Sequence, residues 1–297
     1  MHMIKENKIL VLGTTGLLGS TLAPYLKSRG YNIVTHARKK GTADFIFDLD
    51  VWDTTCEFLT QIQPSIIVNL VGLTSVELCQ RQTHAGYLAN TRTVENIARW
   101  IKQSSAPCHL IQISTDQVYD GDGPHTEDSV TLTNNYALTK YAGEIAAAQV
   151  QSTILRTNFV GRSKVSYRES LTDWVYTSLK SSENVQVLTD VLFSPLSMKT
   201  LVEMIELVIC NKPVGLYNLG SNQGMSKADF DFEFAERLGL PVDTMLRIDS
   251  SEATFLHTYR PKDMRMDCSR FEKLLGLKLP TLTVEIARAA EDYYEKT

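Results

Sequence analysis

The chain lacks most of the features that mark secreted, metal-binding and membrane proteins. Its five cysteines, Cys56, Cys79, Cys108, Cys210 and Cys268, are odd in number and far apart, and no two form a Cys-x-x-Cys or zinc-finger spacing. That argues against a disulfide scaffold or zinc module, and reduced thiols in a cytoplasmic protein are the expectation. The six histidines are equally scattered, so no metal is expected. No apolar run approaches the roughly 18 residues a membrane helix needs, so no membrane contact is expected. Lys5 and Lys8 ahead of Ile9–Ala23 resemble the start of a secretory signal. Gly13, Gly16 and Gly19 interrupt that stretch, no A-x-A-like site follows, and Ile9–Leu12 reads better as a short buried strand. An excess of one charge is missing too: 30 basic and 34 acidic residues give −4, which provides no field to attract nucleic acid. Internal repeats and low-complexity linkers are absent.

What the chain does have is alternation. Short apolar runs at Lys8–Leu12, Asn32–His36, Ala43–Phe47, Ser65–Leu70, His109–Ser114 and Ser152–Thr157 read as strands covered on both faces. Amphipathic stretches at Leu17–Arg29, Thr54–Ile62, Thr83–Ser104 and Asn135–Gln149 separate them. Such alternation implies an α/β fold with a Rossmann-like, doubly wound parallel sheet. The pattern loosens beyond residue 160. Helices are expected at Ser163–Lys180, Thr200–Cys210, Ser226–Leu238, Cys268–Leu275 and Thr283–Glu295, and a strand at Asn184–Leu188. Residues 1–160 are therefore expected to form the sheet domain and 161–297 mainly a smaller C-terminal lobe, with some later chain returning to the sheet.

Gly13-Thr14-Thr15-Gly16-Leu17-Leu18-Gly19 follows the first strand and opens a helix. A cofactor pyrophosphate needs close backbone approach, which glycine allows, and the helix N-terminus adds free N–H groups and partial positive charge. Three glycines alone also fit a chance turn; the flanking strand and helix strengthen the nucleotide reading. An NAD site places an acid about 20 residues on, whereas this second strand ends in His36-Ala37-Arg38-Lys39-Lys40, with no acid before Asp44. Cations there suit a 2′-phosphate, so NADP(H) is the expected cofactor. A solvated turn is the bland alternative.

Tyr136 and Lys140 stand at i and i+4, on one face of a helix. A free tyrosine has a pKa of about 10, and a neighbouring ammonium favours its phenolate, which suits acid–base work near neutrality. Tyr-x-x-x-Lys is common by chance. Context supports it here, because about twenty residues earlier Leu110–Ser114 runs into Thr115-Asp116, at the carboxyl end of a strand where ligands bind in parallel sheets.

Together these segments resemble the extended short-chain dehydrogenase/reductase family, and within it the dTDP-4-dehydrorhamnose reductase group. The matching stretches are Gly13–Gly19, Val68–Cys79, Ser114–Gly121, Tyr136–Glu144, Leu155–Thr157 and a late Arg260-Pro261 with Asp267, Ser269 and Leu274-Leu275-Gly276. The resemblance implies a catalytic set of Thr115, Tyr136 and Lys140. It implies an adenine border at Asp48 and Leu49, a helix asparagine near the active site at Asn90, and a nicotinamide lining at Thr157 and Asn158. With the glycine loop, Arg38, Lys39, Val71 and Gly72, these make up the expected cofactor site. Thr74, Gln117, Arg162 and Arg260 are the expected substrate contacts, with Arg168 a further candidate for the substrate diphosphate. Gln117, Gly72 and Asp263–Met266 depart from the group's usual residues on what the resemblance implies is the substrate side.

The implied activity is NADPH-dependent reduction of a keto group on a nucleotide-activated deoxysugar by a protein that could be a homodimer. Two other readings stay open: a sugar-nucleotide epimerase or dehydratase, and a non-catalytic regulatory subunit that binds the cofactor.

Overall fold

The computed structural model describes residues 7–38 and 43–294; Lys39, an expected cofactor contact, lies outside the described residues. The chain runs β1 (Ile9–Leu12), α1 (Gly19–Ser28), β2 (Ile33–Ala37), β3 (Phe45–Ile46), α2 (Trp52–Ile62), β4 (Ile66–Asn69), α3 (Val76–Arg81), α4 (Thr83–Tyr87), a π-helical turn (Leu88–Arg92), α5 (Thr93–Gln103) and β5 (His109–Ile113). A 3-10 turn (Asp116–Val118), α6 (Asn135–Ala147), β6 (Ser152–Thr157), β7 (Phe159–Val160), α7 (Leu171–Lys180), β8 (Val185–Leu188), β9 (Leu192–Phe193), β10 (Leu196–Ser197) and α8 (Met198–Asn211) follow. The last elements are β11 (Gly215–Leu219), β12 (Met225–Ser226), α9 (Lys227–Arg237), β13 (Met245–Ile248), α10 (Ser269–Leu275) and α11 (Leu282–Glu291).

The main sheet has seven strands in the order β11-β6-β5-β4-β1-β2-β3. β1 pairs in parallel with β2 on one side and β4 on the other, and β4, β5 and β6 continue in parallel. Winding thus reverses between β1 and β4, the kind of switch point at whose carboxyl edge open α/β sheets bind ligands. β1 is wholly apolar and wholly buried because it lies at the centre of a sheet covered on both faces.

The chain divides into two compact units, residues 1–115, 134–155 and 202–216 in the first and 116–133, 156–201 and 217–297 in the second. Residues 202–216 thus return to the first unit, and 116–133 belong to the second. The core of the first unit gathers Leu10, Leu12, Phe58, Leu59, Ile67, Ile97, Trp100 and Leu110. The second has its own core, built by Val175, Phe193, Phe230, Phe234, Leu282, Ile286 and Tyr293 among others.

Two expected helices are corrected. The stretch Thr83–Ser104 is not one regular helix but α4 and α5 joined through the π turn at Leu88–Arg92. The helix expected from Ser163 starts only at Leu171, where Ser170 and Asp173 form a reciprocal capping box. Asp173 also accepts from the Ser163 N–H at 2.9 Å, which draws the preceding loop back over the helix start.

Candidate functional site

In the first unit, the turn after β1 is built around glycines for two different reasons. Gly13 has φ +83°, in the left-handed region, and a Cβ there would lie 3.2 Å from the Val71 nitrogen that follows β4. Gly19 is required by packing, since its Cβ would lie 2.3 Å from the Gly13 carbonyl oxygen. The N–H groups of Gly13 and Thr14 both donate to His36 O at 3.0 Å, and Gly16 N donates to Gly13 O at 3.1 Å, which closes the loop. Thr15 and Leu17 lie half-buried along it and Leu18 is buried. No side chain caps α1 and no acid stands in its first turn, so the positive end of the helix is left for an anion.

The acid that could have marked an NAD site has another task. Asp44 accepts from both the Thr35 N–H, at 2.9 Å, and the Thr35 hydroxyl, at 2.7 Å. Those hydrogen bonds hold its carboxyl below the usual range. Arg38 is exposed at the end of β2. Burial and then Asp50 push the Asp48 carboxyl up, while Arg38 draws it down. Leu49 is buried, and its carbonyl accepts from Thr55 at 3.0 Å and Asn96 at 2.9 Å. A dinucleotide with a 2′-phosphate fits this arrangement: an open helix end, a cradle a Cβ would fill, and an exposed guanidinium in place of an acid.

At the other strand ends, Ser114 and Thr115 follow β5, and both are buried. Ser114 donates its hydroxyl to Glu144 on α6. Tyr136 and Lys140 lie buried on α6, one helical turn apart. Lys140 Nζ donates to Ile113 O at 2.6 Å, and burial lowers its pKa to about 8, opposed by Glu144 and Cys79. Gly72 keeps this spot open, since a Cβ there would lie 3.1 Å from Asn90 Oδ1 and 3.8 Å from Lys140 Nζ. Thr74 is exposed just before Ser75, which caps α3.

Asn90 is fully used inside the protein. Its Oδ1 accepts from Leu73 N at 2.8 Å, and its Nδ2 donates to Leu73 O at 3.1 Å and Thr139 Oγ1 at 3.0 Å. It therefore positions the Gly72–Leu73 strip, a role its family position alone does not specify. Gly143 lets α6 approach the π turn, since a Cβ would lie 2.3 Å from Asn90 O.

In the second unit, Asn158 donates to the Asp116 carboxylate at 2.7 Å, and Gln117 is next along the same 3-10 turn. Arg260 is half-buried and donates to Thr258 O at 3.2 Å. Arg162 is exposed elsewhere, against Asp292 O at 3.1 Å and with its guanidinium 5.4 Å from the centre of the Tyr293 ring. Arg168 is exposed as well.

The Asp263–Met266 segment has an internal role. Asp263 accepts from Gly123 N at 3.0 Å and pairs with Arg265 at 2.6 Å, while Met264 and Met266 are buried.

Reading the sequence alone missed three groups here. Arg156 is fully buried and donates to Tyr119 Oη at 2.8 Å and Glu127 O at 2.7 Å. Lys227 and Asp231 stand one turn apart at the start of α9, among Ala228, Phe230 and Phe234. The available signal was charge at helical spacing on an otherwise apolar face.

Known proteins share this design. The dTDP-4-dehydrorhamnose reductase of Escherichia coli is 28% identical over 97% of this chain and 99% of its own length. The methionine adenosyltransferase 2 subunit beta of Pongo abelii is 25% identical over 93% of this chain and 85% of its own. The crystal structure of a dTDP-4-dehydrorhamnose reductase from Bacillus anthracis, in complex with NADP, superposes with a TM-score of 0.85 at 23% identity, covering 95% of this chain and 98% of that one. Residues 7–295 match the family model described as the RmlD substrate binding domain, and the chain belongs to that family.

Proposed function

We propose that the chain is an NADPH-dependent reductase of a keto group on a nucleotide-activated deoxysugar, with dTDP-4-dehydrorhamnose as the first substrate to test. The observation that carries this reading is the buried Lys140 on the same face as Tyr136, with its ammonium held at the carboxyl end of β5 beside the Thr115 turn. The nicotinamide supplies hydride to the carbonyl carbon when bound. Tyr136 donates its phenolic proton to the carbonyl oxygen as negative charge develops there, and Thr115 donates a hydrogen bond to the same oxygen. Lys140 stabilises the phenolate left on Tyr136 by its charge. Gly13–Gly19 holds the pyrophosphate, Val71 and Gly72 border the nicotinamide half, and Arg38 takes the 2′-phosphate. Asp48 and Leu49 border the adenine. By the family resemblance Asn158 lines the nicotinamide, and Gln117 and Arg260 serve the substrate.

The reading includes a homodimer, the common symmetric assembly, to be tested by sedimentation velocity. It also includes a cytoplasmic location, which five free cysteines favour. Among the described residues, no helix is long and apolar enough to cross a membrane.

The test is NADPH consumption with dTDP-4-dehydrorhamnose. The wild type should turn over, and Tyr136→Phe should lose roughly a hundredfold or more while still binding NADPH. A regulatory role is the second reading, favoured by the similarity to the methionine adenosyltransferase subunit. Tight NADPH binding without turnover of any keto-sugar nucleotide would replace the first reading with the second.

A further inference from the structure

The start of α9 holds a charged pair that the reductase chemistry does not use. Lys227 is the first residue of the helix and Asp231 lies one turn later, so their side chains leave the same face with Cβ atoms about 6 Å apart. Asp231 is 2% exposed, and its Oδ1 is buried with no hydrogen-bond partner. A buried carboxyl oxygen without a partner has given up its hydrogen bonds to water for nothing, so such an atom calls for an explanation. Lys227 does not supply the missing contact: among the described residues no ion pair joins its ammonium to a carboxylate. Its Nζ sits instead 5.8 Å from the centre of the Phe193 ring. The nearby charges are Asp231, Asp116 and Arg260; burial lowers the pKa of Lys227, Asp231 and Asp116 oppose that fall, and Arg260 adds to it. Asp116 is peptide-bonded to Thr115 and is itself engaged by Asn158 at 2.7 Å.

A strong donor and a strong acceptor thus share one helix face, close but not touching, with the acceptor shielded from water. A hydroxyl oxygen suits that gap, because one hydroxyl can accept from an ammonium and donate to a carboxyl at the same time. Neither a phosphate, which Asp231 would repel when ionised, nor an apolar group meets both demands.

We propose that Lys227 and Asp231 form a specificity-determining subsite that binds a ring hydroxyl of the sugar in a sugar nucleotide. The subsite rests on the reductase reading only for its substrate class. An analogue without that hydroxyl leaves the Asp231 oxygen buried and unpaired, which is how polar pockets reject deoxy compounds.

The test compares binding of dTDP-glucose with binding of dTDP by calorimetry, each in the presence of saturating NADP. The wild type should bind dTDP-glucose at least tenfold more tightly than dTDP. Lys227→Met and Asp231→Leu should each erase that increment while leaving the affinities for dTDP and NADP within twofold. Asp231→Asn, which keeps the shape of the carboxyl, should retain part of it and covers the case in which the leucine variant does not fold. An increment that survives in Lys227→Met and Asp231→Asn, or a wild type with no increment, overturns the proposal. A wild type that shows the increment but never oxidises NADPH would sink the reductase reading and leave the subsite standing.

Discussion

The ammonium of Lys140 donates to the main-chain carbonyl of Ile113 at 2.6 Å, so the one strand-end carbonyl next to Ser114 and Thr115 fixes the lysine that shares a helix face with Tyr136. The bond links the sheet to α6 and sets the electrostatics of the site. A carbonyl compensates a buried cation only in part, which is why burial dominates the fall of this pKa from 10.5 to about 8.

Replacing Lys140 should therefore separate activity from stability. Below pH 8 the lysine is charged in both folded and unfolded chains and the burial cost is fully present. Between pH 8 and 10.5 the folded chain binds fewer protons than the unfolded one, so wild-type stability rises with pH through that window. Lys140→Met should stabilise the cofactor-free protein at pH 7 by up to about 3 kcal/mol. That gain should shrink towards pH 10, and turnover should be lost. Thermal melts across pH read this directly; a methionine variant less stable than wild type at pH 7 would contradict it.

Gly19→Ala should be severe for so small a change. Its Cβ would lie 2.3 Å from the Gly13 carbonyl oxygen, a backbone atom that cannot swing aside. Either the loop or the start of α1 must shift, at a cost of about 1–3 kcal/mol. NADPH affinity should fall by tenfold or more with it. Calorimetry on the folded variant checks this, and unchanged affinity would mean the loop does not hold the cofactor.

Arg38→Ala tests cofactor choice. Asp44 is spent on Thr35, so no acid stands ready for a ribose 2′-hydroxyl. The variant should lose NADPH affinity by roughly tenfold, the worth of one exposed charge-assisted contact, and leave NADH affinity nearly unchanged. Equal losses for both would argue that Arg38 does not meet the 2′-phosphate.

The alternation of strand and helix in the first 160 residues was legible because parallel strands buried on both faces are short and apolar, and β6 was read to the residue. The glycine loop and the Tyr136–Lys140 spacing were legible for the same reason, since local geometry alone dictates them. Other features depend on partners distant in sequence. β11 is an ordinary five-residue run until it joins β6, and the two-residue strands β7, β9, β10 and β12 exist only through their pairings. Asn90 could be placed near the site but not understood, because its work is done on Leu73, seventeen residues away. Arg162 carries the right chemistry for a diphosphate, and spacing gave no sign that one of its N–H groups donates to the main-chain carbonyl of Asp292, 130 residues later.

Tyr119→Phe should cost stability without touching cofactor binding. The Tyr119 hydroxyl accepts from Arg156 at 2.8 Å and donates to Asn218 at 2.6 Å, and all three side chains are buried. Phenylalanine keeps the ring on His125 but leaves a guanidinium N–H and an amide oxygen unpaired. The expected loss is about 2–3 kcal/mol, read by urea unfolding. A neutral result would mean the network rearranges around the gap.

Asp231 should make stability depend on pH in the opposite sense to Lys140. Burial raises its pKa from 3.8 to about 8, although Lys227 pulls it down, so the folded chain keeps a proton that the unfolded chain has released. Between pH 4 and 8 the folded state binds the extra proton and wild-type stability falls as pH rises; below pH 4 both states hold the proton and the cost vanishes. Asp231→Asn is permanently neutral and escapes that cost. It should match the wild type near pH 4 and exceed it by up to about 5 kcal/mol at pH 8, with the advantage growing steadily in between. Urea unfolding at pH 5, 6, 7 and 8 would trace the difference. A flat difference across that range would place an ionised carboxylate beside Lys227 in the folded protein and remove the cost that an incoming hydroxyl is proposed to relieve.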